Sequence, residues 1–156
     1  MRKMTTVFEN KWLLLIARIA LSGVLIYAGG IKLLNPVESR AAIVAYRLYL
    51  PEFFVKLGTT ALPAFEVVVG LLLLTGIFVR FASLATIALM LVFIVMIAQV
   101  WYRGFSIDCG CFGGGGDVSP EGKELRYMAE IARDTLFIGL AVLLVRKPQT
   151  PFSISA

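Results

Sequence analysis

The run Asp108-Cys109-Gly110-Cys111-Phe112-Gly113 holds the chain's two cysteines, one glycine apart, in a polar, glycine-rich stretch that follows a long apolar segment. Thiols serving only to pack would more often lie apart within apolar helices, so this pair points to cycling between dithiol and disulfide. Gly110 lets the backbone bend enough to close so small a ring, and a bridge of this kind is readily reduced. The chemistry to expect is thiol–disulfide exchange at Cys109 and Cys111. The chain has no histidine, which removes Cys/His catalysis, histidine-ligated haem and the usual zinc sets, and no fully protein-bound metal is expected in a monomer. Thiolate activation then falls to Arg103, Lys123, Arg126 or a helix N-terminus, with Asp108 acting against them, and which sulfur attacks is left open.

The elements that must position this pair are membrane helices. Of the 156 residues, 59% are hydrophobic and 16% charged, and the mean hydropathy is +0.87, far more apolar than an average soluble domain. The net charge of +5 is spread thinly, without the basic block or stripe that nucleic acid requires. A hydrocarbon core of about 30 Å takes ~20 helical residues. Four segments qualify, near residues 12–31, 60–79, 82–102 and 127–145, and they predict one all-α integral membrane domain over 1–156, a four-transmembrane-helix bundle. The first segment reads as an anchor and not a cleaved signal.

Between the first two spans, Asn35-Pro36 breaks the helix. Val37, Ala41, Val44 and Leu48 then recur at helical spacing, which predicts a short helix lying in the membrane interface. Arg80 is nearly all that separates the second and third spans, so these should form a tight antiparallel hairpin. In the cysteine loop, 103–126, Ser119-Pro120-Glu121 predicts a helix start that runs into the fourth span.

Positive residues number six on the side of the termini and seven on the other. The terminal side carries its cations on shorter segments, which puts the termini in the cytoplasm and the cysteine loop on the oxidising, extracytoplasmic side.

Charges within spans each need a reason. Arg18 lies about 9 Å in from the terminal face and can snorkel back to the headgroups. Glu66 lies about 9 Å below the opposite face, and Arg133 and Asp134 reach nearly the same depth, so depth pairs Glu66 with Arg133. With Lys32 and Gln99 they make a polar cluster, Lys32, Glu66, Gln99, Arg133 and Asp134, just under the cysteine loop. Such a cluster can bind a polar head, relay protons from the thiols, or lock the bundle. Trp101, Tyr102, Phe105, Phe112 and Tyr127 at the same end read as an aromatic belt before a quinone site.

These residues carry a resemblance. Gly29-Gly30-Ile31-Lys32-Leu33 with Asn35-Pro36, Pro63-Ala64-Phe65-Glu66 with Gly70, Arg133-Asp134 and the Cys109-Gly110-Cys111 loop together resemble the MauE/DoxX family of redox-associated membrane proteins, closest to its MauE branch. The resemblance implies a four-helix protein of the bacterial cytoplasmic membrane that handles thiols and disulfides beside a thioredoxin-like or disulfide-containing extracytoplasmic partner. It also implies a link to maturation of a disulfide-rich enzyme such as methylamine dehydrogenase, with Cys109 and Cys111 as the redox pair.

Three functions compete on this reading. The first is a thiol/disulfide component that exchanges with an extracytoplasmic protein and passes electrons to a quinone or through the membrane. The second is a non-catalytic subunit that docks or stabilises a redox enzyme, or binds a soft metal such as Cu(I) across a dimer. The weakest is a transporter, because transporters generally need more spans and broken helices.

Overall fold

The computed structural model describes residues 11–154. Arg2 and Lys3, two of the six positive residues counted on the side of the termini, lie outside the described residues. Four helices of 24 residues each make the body: α1 (Lys11–Leu34), α3 (Glu52–Thr75), α4 (Val79–Tyr102) and α5 (Lys123–Arg146). A short α2 (Pro36–Ala45) joins α1 to α3, and strands β1 (Ile107–Asp108) and β2 (Gly116–Asp117) pair antiparallel in the loop between α4 and α5. Helices α1, α3 and α4 are long and apolar enough to cross a membrane. Helix α5 has the same length but carries Arg126, Glu130, Arg133 and Asp134 in its first half.

The helices pack as two close pairs, α1 with α3 and α4 with α5. Glycines make the first pair close: a Cβ at Gly29 would lie 2.6 Å from the Pro63 carbonyl oxygen, and one at Gly70 would lie 2.7 Å from Ile26 Cγ1. Ser22 reinforces the contact by donating its hydroxyl to the Gly70 carbonyl at 2.8 Å, a polar bond that holds helices together where both sides are apolar. The hairpin expected between α3 and α4 exists as a tight turn but not as the main contact. Gly76, in the left-handed region at φ +74°, ends α3, and α4 makes its main contact with α5.

Several boundaries differ from expectation, three of them with a local cause. Helix α3 starts at Glu52 and not Thr60, because Pro51 supplies an extended residue that opens the helix. Helix α5 starts at Lys123 after a turn in which the Ser119 hydroxyl accepts from the Glu121 N–H at 3.4 Å; Gly122, at φ +70°, breaks the run that Ser119-Pro120 would otherwise begin. Helix α2 stops at Ala45, so Leu48 lies beyond it. Its outward residues are Val37 and Val44, while Ser39, Ala42 and Ala45 are buried.

Arg18 does not snorkel. Its side chain is buried and donates to the Thr150 hydroxyl at 2.5 Å, while the Ile154 N–H reaches back to the Gly76 carbonyl at 3.0 Å. The segment after α5 thus folds over the end of α3 and supplies the acceptor that lipid would not.

Candidate functional site

The cysteine loop is bound to the bundle from below by two tyrosines. Tyr127 is fully buried on α5; its hydroxyl accepts from the Ile107 N–H at 2.9 Å and lies 3.1 Å from the Phe105 carbonyl. Tyr46, just past α2, donates to the Cys109 carbonyl at 3.1 Å, and burial holds its phenol well above the usual range. A second core cluster, Ala45, Tyr46, Ile97, Val100, Ile107 and Tyr127, underlies the loop. From outside, Arg47 and Arg103 each stack a guanidinium 4.6 Å from the Phe105 ring, and Arg103 also donates to the Tyr46 carbonyl at 3.0 Å.

Glycine is required where the loop crosses α2. Gly110 sits at φ +67°, and a Cβ there would meet Ala42 Cβ at 2.5 Å; at Gly115, φ +134°, the same atom would be 2.4 Å away. The small residue on α2 and the bare backbone above it let the loop lie flat, which brings both thiols inward. Cys111 is only 5% exposed and Cys109 is half-buried. Asp108 Oδ1 accepts the Gly110 N–H at 2.9 Å, closing a local turn, and the Cys111 N–H points at Cys109 Sγ at 3.3 Å. Cys109 Sγ therefore sits against Cys111 across Gly110, and both cysteines are free thiols.

The expected activation of a thiolate by Arg103 and Lys123 is not what these contacts provide. The hydrogen bond to the Cys111 side chain, then burial, then the charges of Cys111 and Glu130 push the Cys109 thiol well above its ordinary range, so Cys109 is held protonated. Two of the three nominated cations are engaged elsewhere: Arg103 on Tyr46, and Lys123 on the Gly104 carbonyl at 3.1 Å.

Beneath the thiols lies the polar cluster, with partners other than those expected. Lys32 Nζ is 2.8 and 3.0 Å from the two Glu66 carboxylate oxygens, tying α1 to α3. Arg133 turns to its own neighbour, with Nε 2.9 Å from Asp134 Oδ1, and its guanidinium lies 4.5 Å over the Phe112 ring. The Glu66–Arg133 pairing is therefore wrong in its partner. Depth was right: Glu66, Cys111, Phe112, Arg133 and Asp134 line one crevice of about 10 Å³. Gln99 stays apart, accepting from Arg103 at 3.2 Å. The aromatic belt also divides, since Tyr102 is 94% exposed while Tyr127 is buried and Phe112 packs against Tyr27 with ring centroids 6.3 Å apart.

Between α2, α3, α4 and the loop opens an apolar cavity of about 180 Å³. Lys32, Cys109, Gly110 and Cys111 lie at its inner end, and Leu62, Phe93 and Met96 line its walls. Sequence reasoning missed this cavity, and it missed Glu130, whose carboxylate interacts with the Cys109 thiol. A signal for Glu130 existed: it lies three residues before Arg133, on the same face of α5 and one turn nearer the loop. Among the described residues, no group of three or more histidine, cysteine, aspartate or glutamate side chains is placed to hold a metal ion.

Long apolar helices under a strapped-down dithiol loop, with an ion pair sealed beneath it, define a helical membrane protein. The family described as methylamine utilisation protein MauE matches residues 10–147. The chain belongs to that family, and its role lies in methylamine utilisation. No curated protein and no solved structure gives a match.

Proposed function

We propose that this chain is a thiol/disulfide component of the bacterial cytoplasmic membrane that exchanges the Cys109–Cys111 disulfide with a thioredoxin-like or disulfide-containing extracytoplasmic protein. Within methylamine utilisation the recipient pathway is maturation of a disulfide-rich redox enzyme such as methylamine dehydrogenase. All four long helices cross the bilayer on this reading, the cysteine loop faces the extracytoplasmic side, and residues 80 and 146–147 face the cytoplasm.

The observation that carries the reading is that Cys109 Sγ sits against Cys111 across Gly110 with both cysteines free, in a loop held by tyrosine hydroxyls at its backbone and not at its sulfurs. Backbone anchoring leaves the side chains able to change bonding without unfolding the strap. Cys109, the more exposed sulfur, meets the partner, and the buried Cys111 resolves the mixed disulfide. Lys32, Glu66, Arg133 and Asp134 support the pair from below, and Glu130 receives the proton of Cys109.

A membrane-impermeant alkylating agent applied to intact cells after mild reduction tests side and chemistry together. Labelling of Cys109 in intact cells, and a reductant-sensitive adduct that accumulates in Cys111→Ser but not Cys109→Ser, is the expected result. If partner oxidation is unchanged when both cysteines become serine while the complex still assembles, a non-catalytic docking subunit is the better account.

A further inference from the structure

The cavity that ends at the two thiols is unlike a solvent channel. Its walls are Ile43, Leu62, Val92, Phe93 and Met96, with Lys32 as the one charged side chain. The exposed side chains of its lining are apolar, Val92 at 52% on α4 with Leu48 at 39% and Leu50 at 41% before α3, so the cavity communicates with the apolar perimeter of the bundle beside helices α3 and α4, which are not packed as a close pair. A molecule reaching the thiols by this route comes from the lipid. An apolar cavity of about 150 Å³ accepts a benzene-sized ring, and this one measures about 180 Å³, room for one substituted six-membered ring whose tail leaves through the rim.

An acyl chain would satisfy the walls but leave the inner end unused. There Lys32 spends two N–H groups on Glu66 and lies 4.9 Å from the centroid of the Phe93 ring; an ammonium has three N–H groups, and a ring carbonyl oxygen seated beside Phe93 can accept the third. The thiols add a redox requirement: closing one S–S bond releases two electrons and two protons, and an acceptor in this position must take both.

We propose that the cavity binds the ring of an isoprenoid quinone, with Lys32 donating to one of its carbonyl oxygens, as the acceptor for the Cys109–Cys111 dithiol. The balance closes. Two S–H bonds break and one S–S bond forms, and the quinone gains the two electrons and two protons to become the quinol. Glu130 beside Cys109 is placed to hold a proton in transit. This deepens the exchange reading, on which it rests, and gives it a direction: partner dithiols are oxidised by the loop disulfide, and their electrons pass to the quinone pool.

The test uses the full chain in lipid nanodiscs, reduced, freed of reductant under anaerobic conditions and mixed with decylubiquinone. Quinone absorbance reports the acceptor, and the mass shift after alkylation reports the thiols. The expected result is equimolar loss of quinone and of the dithiol, abolished in Cys109→Ser and Cys111→Ser. Met96→Trp, which fills the cavity without touching Lys32 or a cysteine, should slow the reaction by about tenfold or more, while oxidation by a soluble oxidised thioredoxin keeps its rate. Leu62→Phe, a smaller intrusion, should fall between wild type and Met96→Trp and serves if the larger variant does not fold. Thiols that oxidised thioredoxin oxidises and decylubiquinone does not, or quinone rates unmoved by both cavity variants, would overturn the quinone inference and leave exchange standing. Thiols that neither oxidant touches would remove both.

Discussion

Two ion pairs sit at the same end of this bundle and are built on opposite plans. Lys32–Glu66 joins two helices, meets both carboxylate oxygens and is sealed from solvent, with Glu66 0% exposed. Arg133–Asp134 joins neighbours on one helix and leaves Asp134 Oδ2 without a hydrogen-bond partner among the described residues; its guanidinium, half-buried, leans on Phe112. The first pair holds the α1–α3 unit together. The second adjusts the surroundings of Cys111 at the surface of the α4–α5 unit. Equal depth and equal charge thus do different work according to whether the partner lies on another helix.

The largest effect should come from breaking the interhelical pair. Lys32→Ala or Glu66→Ala alone leaves a buried charge uncompensated and should cost about 3–5 kcal/mol, whereas Lys32→Met with Glu66→Met should recover most of the loss. Denaturant unfolding of the purified protein in detergent decides; a double variant as unstable as either single one would show that the helices are not joined there. Next in size are the glycines of the same interface. Gly29→Ala and Gly70→Ala should each cost about 1–3 kcal/mol through overpacking, while Gly139→Ala on α5, where an added Cβ meets nothing within 4 Å, should be neutral or slightly stabilising. Equal melting shifts at all three would refute the close α1–α3 approach.

The intrahelical pair should prove weaker. Asp134→Asn should cost about 1 kcal/mol, because Arg133 keeps its contact with the Phe112 ring and the amide oxygen can still accept its hydrogen bond, yet it should change the alkylation rate of the loop thiols more than it changes the melt. The smallest effect is one of pH. Cys109 is raised in the fold, so the protonated thiol is favoured there: its contribution is fully present below the unfolded thiol pKa, about 8.5, and declines as pH rises beyond it. Stability should be flat on this account between about pH 6 and 8 and fall above. Iodoacetamide should modify the native reduced loop far more slowly than the denatured chain at any pH in that range; equal rates would mean the thiols are open.

Much of the bundle was legible because apolar runs of membrane length have few alternatives. The loop was legible as chemistry from Cys109-Gly110-Cys111 alone. What depth could not supply was rotation about the helix axis: rise per residue put Glu66 and Arg133 at one level, but Lys32 was counted as the end of its span. Continuation of α1 to Leu34 turns Lys32 inward instead. The cavity was hidden for a related reason. Its floor depends on Ala42, and an alanine in a short helix carries no signal that a glycine loop will rest on it.

The order of the two helix pairs along the chain bears on how the protein enters the bilayer. Helices α1 and α3, with only α2 between them, can close in the membrane before α4 and α5 are synthesised, and domain-like units that form early in synthesis limit misassembly. Each pair also carries its own counter-charge: Lys32 and Glu66 neutralise one another within the first, Arg133 and Asp134 within the second. Neither of these two pairs has to wait in hydrocarbon for the other half to arrive; Arg18 of the first half does wait, for the Thr150 hydroxyl that follows α5, so the last segment to leave the insertion machinery is the one that completes the first helix.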